Sequence, residues 1–125
     1  MSNIGGDMQD FKRLKVWDKA HQLTLEIYAA SKRFPKDELF GLTSQIRRAS
    51  SSVAANIAEG SGRRSRKEFM YFLGVAIGSV SEVEYFLILA KDLTYLDQLQ
   101  YQNINTLADE TKRMLISFLQ KVEKG

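Results

Sequence analysis

Apolar positions recur along this chain at alternating steps of four and three in four separate stretches, the period of helices that bury one face. Val16, Ala20, Leu23, Ile27, Ala30 and Phe34 form the first such seam and predict a helix from Leu14 to about Arg33. Pro35 stops it, because a residue before proline avoids the helical region. Residues 37–41 read as a turn, and Thr43 or Ser44 is expected to cap a second helix whose seam is Leu42, Ile46, Ala49, Val53 and Ile57. Gly60 stands where a glycine would end that helix. Ser65-Arg66-Lys67-Glu68 has the form of a capping box and predicts a third helix from Arg66 to about Asp92, with Phe69, Leu73, Ala76, Val80, Val83, Leu87 and Ala90 as its seam. Asp97 and Gln100 form a weaker capping pair before a fourth seam of Tyr101, Ile104, Ala108, Thr111, Leu115, Phe118 and Val122. Short connections between four helices favour antiparallel neighbours. The predicted fold is all-α, a single up-down-up-down four-helix bundle over residues 1–125 with a flexible tail over 1–10.

Two helices carry more than a core seam. On the second, Gln45, Arg48, Ser52, Asn56 and Glu59 fall within roughly 80° of one another at 100° per residue, beside the apolar face. Solvated faces are usually wide and rich in Lys and Glu. This narrow band, with Glu82 as a companion from the third helix, is therefore read as a hydrogen-bonding surface between helices or subunits, or as a ligand contact. Arg47 points to the opposite side and is expected to be exposed or at a subunit contact.

The third helix is apolar nearly all round. Outside its seam it presents Tyr71, Phe72, Gly74, Val75, Gly78, Tyr85 and Phe86, and from Phe69 to Ala90 only Glu82 and Glu84 are charged. Such a helix is expected to be buried on more than one side. Gly74 and Gly78 are spaced for close backbone approach, and a second subunit is the expected cover. A membrane span is disfavoured, because the longest uncharged run is Phe69 to Ser81 and the two glutamates would be costly in lipid.

Charge then distinguishes one end of the bundle. The net charge is only +3, but residues 42–68 hold six cations against Glu59 and Glu68. The up-down-up-down topology gathers Lys12, Arg13, Lys15, Arg63, Arg64, Arg66, Lys67, Lys121 and Lys124 at one pole, diluted by Asp10, Asp18, Glu59, Glu68 and Glu123. A basic pole attracts phosphate through counterion release. The Ser61–Lys67 loop has no interleaved aromatic residues, so contact there is expected to be led by charge and shape rather than base sequence.

Catalytic chemistry finds little support. With no cysteine and one histidine, neither a metal cluster nor a catalytic triad assembles, and no cofactor is implied. His21 lies one turn from Trp17 and reads as a packed or half-exposed helix residue. Gly60-Ser61-Gly62-Arg63-Arg64-Ser65 lacks the lysine ending and the preceding strand of a phosphate loop. The lack of cysteine fits a reducing cytosol. Residues 1–7 show neither the basic nor the apolar segment of a secretory signal.

These residues resemble one family, the bacterial four-helix-bundle proteins encoded inside intervening sequences of large-subunit ribosomal RNA genes. The resemblance is carried by Leu14-Lys15-Val16-Trp17, Phe34-Pro35, Gly41 through Ala49 with its Gln-x-Arg-Arg-Ala core, Asn56-Ile57-Ala58-Glu59-Gly60, Phe69, Phe72-Leu73, Ala76, Gly78-Ser79 and Glu82. It implies a bundle assembled as a homopentameric ring, similar to the basic accessory subunits that partner the reverse transcriptase of diversity-generating retroelements. It implies no enzymatic activity. Members often carry a proline before the asparagine matching Asn56; Ala54-Ala55 stands there, so no kink is expected. Two functions stay open: a non-catalytic accessory protein that binds structured RNA or DNA through the basic pole, alone or beside a protein partner, and a protein-binding scaffold with no nucleic-acid role.

Overall fold

The computed structural model describes residues 10–125, so the predicted tail, apart from Asp10, lies outside the described residues. Four helices are present and no strand occurs among those residues: α1 (Lys15–Ser31), α2 (Leu42–Ser61), α3 (Arg66–Asp92) and α4 (Gln98–Lys124). Short 3-10 turns precede α1 (Phe11–Arg13) and α2 (Lys36–Glu38). Each helix packs on the next and α4 closes back on α1, while the backbones of the diagonal pairs stay further apart. The four seams meet in one core. Every predicted seam position is buried except Ala30, Tyr101 and Phe118, which pack half-buried against it.

The helix ends depart from expectation in instructive ways. Ser65 Oγ accepts the Glu68 amide, but the reciprocal contact of a full capping box forms only between Asp97 and Gln100. Neither Thr43 nor Ser44 caps α2. Gly41 holds the cap position, and the Glu38 carboxylate accepts the Leu42 N–H at 3.1 Å from the turn before it. Gly60 does not end α2, which continues to Ser61. A Cβ there would lie 2.9 Å from both Phe69 Cδ1 and Phe72 Cβ, so the glycine admits α3's aromatic side chains to the α2 backbone. α3 ends with Thr94 at φ 67°, and the Thr94 and Tyr95 amides bond back to the Lys91 and Ala90 carbonyls. A β-branched residue in that left-handed position is strained, and these bonds hold it there.

Aromatic contacts fix which ends meet. Phe69 at the start of α3 packs edge-on to Phe118 late in α4, with ring centres 5.7 Å apart. At the other pole Phe34 lies 5.5 Å from Tyr95, tying the α1–α2 turn to the α3–α4 turn. Tyr95 Oη donates to Glu38 Oε2 at 2.9 Å, so one carboxylate holds both that phenol and the start of α2. The hydrogen bond to Glu38, with burial and the nearby Glu38 and Asp37 charges, raises the Tyr95 pKa above its ordinary 10.0. Because the neutral phenol is the favoured form, its contribution to stability is complete below pH 10.0 and fades as pH rises through the raised value. Subtracting the alkaline absorbance titration of Tyr95→Phe from that of the unaltered protein is expected to isolate a phenol ionising above 10.0. A difference curve centred at or below that value would refute the contact.

α3 is long and apolar enough to cross a membrane by length and composition alone. A third of its most apolar window is buried inside the bundle, where the seam packs between α2 and α4.

Candidate nucleic-acid interface and polar cleft

The chain crossings at one pole bring the predicted basic residues together. Lys15 of α1 and Lys121 of α4 flank one groove, floored by Val16, Met114 and Phe118. The Arg66 guanidinium lies against Gly125 at the end of the chain. The turn Phe11–Arg13, carrying Lys12 and Arg13, packs on α2. Lys12, Arg13, Lys15, Arg64, Arg66 and Lys67 are exposed, and none forms an ion pair among the described residues. Arg63 differs: it pairs with Glu59 one helical turn earlier and its guanidinium sits 4.9 Å from the centre of the Phe72 ring. Its charge is therefore partly engaged within the chain, whereas the others are free to meet phosphate.

Beside these cations lies an aromatic cluster that the loop sequence did not reveal. Trp17 and His21 stack 5.1 Å apart at an interplanar angle of 9°, and Phe11 meets Trp17 edge-on at 5.2 Å. All three are half-buried, and Lys12 Nζ lies 5.9 Å from the centre of the Phe11 ring. The four-residue spacing of Trp17 and His21 was the available signal. Bringing Phe11 to them required the 3-10 turn, in which Asp10 accepts the Lys12 amide.

The polar band of α2 divides into two parts. Ser52 Oγ and Ser79 Oγ of α3 share a hydrogen bond of 3.0 Å, and Asn56 Nδ2 donates to Ser52 Oγ at 2.9 Å and to the Ser52 carbonyl at 2.8 Å. That half is an interhelical network. The other half is not. Gln45, Arg48 and Glu82 are exposed and line an open cleft of about 480 Å³ between α2 and α3, and no ion pair joins Arg48 to Glu82. Glu59 is exposed and faces Arg63 rather than a neighbouring helix. Within one chain, then, only Ser52 and Asn56 of the band belong to a network between helices. Periodicity gives a residue's direction around its own helix, and the neighbour's distance at each level decides contact. Phe40, in the turn before α2, borders this cleft with 92% of its surface open.

Arg47, expected to be exposed or at a subunit contact, is not fully exposed within one chain. It is half-buried, folded over α1 with its guanidinium 4.8 Å from the Tyr28 ring centre, and its Nε donates to Ser31 Oγ at 2.8 Å. A long stem of this kind covers apolar surface while its head remains polar.

The outer face of α3 is open within one chain. Tyr71 is 65% and Tyr85 58% exposed, and a Cβ at Gly74 or Gly78 would meet nothing within 4 Å. The close approach expected at these glycines is therefore not made inside the bundle, and the second buried side of α3 is absent from the single chain. Tyr71 with Phe72 and Tyr85 with Phe86 form aromatic pairs at either end of the glycine pair. No group of three or more potential metal-ligating His, Cys, Asp or Glu side chains occurs among the described residues.

The model of the 23S rRNA-intervening sequence protein family matches residues 12–117. A crystal structure of a protein with unknown function from the S23 ribosomal protein family of Bacteroides thetaiotaomicron VPI-5482 is similar, with 31% identity and a TM-score of 0.78. The likeness covers 83% of this chain and 97% of that one. No curated protein matches the chain.

Proposed function

Because the chain belongs to the 23S rRNA-intervening sequence protein family, we propose that it is a non-catalytic accessory protein of the cytoplasm. In this reading it assembles as a homopentameric ring and binds structured RNA or DNA through its basic pole. One observation carries the nucleic-acid reading. Six exposed cations from separate chain segments (Lys12, Arg13, Lys15, Arg64, Arg66 and Lys67) stand at one pole without ion-pair partners. A ring repeats that pole around its axis, which multiplies weak phosphate contacts into useful avidity. The aromatic cluster of Phe11, Trp17 and His21 at the same pole adds a surface on which an unpaired base can stack. Neither a cofactor nor a membrane enters this reading.

The open outer face of α3 supports the ring. Tyr71, Phe72, Gly74, Gly78, Tyr85 and Phe86 form a stripe roughly 20 Å long at 1.5 Å per residue, which suits a neighbouring helix laid against the glycines. A protein-binding scaffold is the second reading, favoured by Phe40, which stands open beside the cleft holding Arg48 and Glu82.

Binding to a structured RNA hairpin and to duplex DNA across a salt series separates the two. The expected result is an affinity falling linearly with salt on logarithmic axes, at a slope of several released ions. Changing Arg64, Arg66 and Lys67 to Glu is expected to weaken low-salt binding by at least about ten-fold with unchanged helix content. No binding at low salt, or indifference to these changes, would leave the scaffold reading in its place.

A further inference from the structure

A second charged recess lies at the opposite pole, where α1 ends and α2 begins, and its chemistry differs from that of the basic pole. It is open to solvent, with a volume of about 430 Å³. Its apolar wall is Phe34, Pro35 and Leu39, and three cations reach it: Lys32, Lys36 and Arg47. None of the three has an ion-pair partner among the described residues. No carboxylate lines the recess. Of the acids close by in sequence, Glu38 is engaged by the Leu42 amide and the Tyr95 phenol, and Asp37 is exposed to solvent.

Two features make this more than a patch of lysines. Arg47 is held in place, with Nε donating to Ser31 Oγ and its plane over Tyr28, while Ser31 in turn donates to the Tyr28 carbonyl at 3.3 Å. The terminal nitrogens of the guanidinium have no partner among the described residues, a preset fork for a planar anion. Thr43, the second residue of α2, is 4% exposed, lines the recess, and its hydroxyl has no hydrogen-bond partner among the described residues. A buried hydroxyl of that kind costs free energy until something bonds to it.

We propose that this recess binds a carboxylate carried on an apolar body. Arg47 takes the carboxylate through its fork, Thr43 donates a hydrogen bond, and Lys32 and Lys36 hold the rim. Phe34, Pro35 and Leu39 cover the ligand's hydrocarbon. The apolar wall favours such a ligand over inorganic phosphate, which would leave that wall wet. This site is independent of the nucleic-acid reading, and its test needs no nucleic acid.

The experiment follows the Arg47 Nε–H and Thr43 amide resonances of the full-length protein during titration with hexanoate, hexanol, inorganic phosphate and N-acetyl-leucyl-glutamate amide. Hexanoate is expected to saturate with a Kd on the order of a millimolar, as befits eight heavy atoms. Hexanol should bind at least about ten-fold more weakly, since it lacks the charge that meets the fork. Saturation by the peptide as well as hexanoate assigns an acidic side chain of a protein as the ligand's source; saturation by hexanoate alone assigns a free acid. Arg47→Gln should remove binding. Lys36→Gln, at an exposed position with no internal contact to lose, should weaken it several-fold while leaving the fold unaltered. Equal binding of hexanol and hexanoate, tighter binding of phosphate, or unchanged binding in both variants would overturn the assignment.

Discussion

Phe69→Ala is expected to lower the free energy of unfolding by about 3–5 kcal/mol, a large share of the roughly 5–15 kcal/mol available to a domain of this size. Phe69 is among the largest fully buried side chains, and it joins three helices at the basic pole. Its ring packs edge-on to Phe118 of α4 and lies against the α2 backbone at Gly60. Truncation would leave a cavity lined by groups from three helices, which cannot all collapse at once. Urea unfolding should show a lower midpoint with an unchanged slope, the mark of lost stability rather than a changed unfolded state. A loss below about 1 kcal/mol would mean that the pole repacks freely.

The same contact predicts a coupling. Gly60→Ala alone drives a methyl group to 2.9 Å from the Phe69 ring and should cost about 1–3 kcal/mol. Made in the Phe69→Ala protein it should cost less, because the ring contact is gone and only the 2.9 Å approach to Phe72 Cβ remains. Strict additivity would refute direct contact as the cause.

In the proposed ring, Gly78→Glu is expected to lower the mass to the 14.2 kDa of one chain, a five-fold fall by light scattering for a pentamer. The substitution separates chain from assembly. Within one chain a side chain at Gly78 meets nothing within 4 Å, and replacing a helical glycine favours the helix by about 0.5–1 kcal/mol. The isolated bundle should therefore tolerate the change or gain from it. A neighbouring helix seated on Gly74 and Gly78 would instead meet a buried, unpaired carboxylate, which costs several kcal/mol. Retained helix content with unchanged mass would remove this face from the assembly. A monomeric unaltered protein at micromolar concentration would remove the assembly itself.

Much of the fold was legible because helix periodicity is a local property. α3 begins and ends where the Ser65 cap and the apolar seam place it, and α2 runs unbroken through Ala54-Ala55 as the missing proline predicts. Helix ends were less legible when the partner came from elsewhere. The α2 start is held by Glu38, a residue of the preceding turn, and no local cap motif announces that. The basic pole was readable from topology and charge alone, since antiparallel connections oblige three segments to meet. The aromatic stack beside it was only half visible, because Phe11 reaches Trp17 through a 3-10 turn that leaves no periodic trace.

The residues alone determined four amphipathic helices, their order, their core faces and the end at which the cations gather. Each of these depends on spacing along one strand of chain and on short connections. Tertiary structure alone decided which polar side chains find partners. Ser52 meets Ser79 and takes a hydrogen bond from Asn56, whereas Arg48 and Glu82 remain apart across an open cleft. It also decided that Arg47 folds onto Tyr28 and Ser31, and that Gly60 is a point of close packing rather than a helix stop. The physical reason is common to all of these. A helical period fixes the direction in which a side chain leaves its own axis, but hydrogen bonding and packing act over a few ångströms, and that distance belongs to the neighbouring helix.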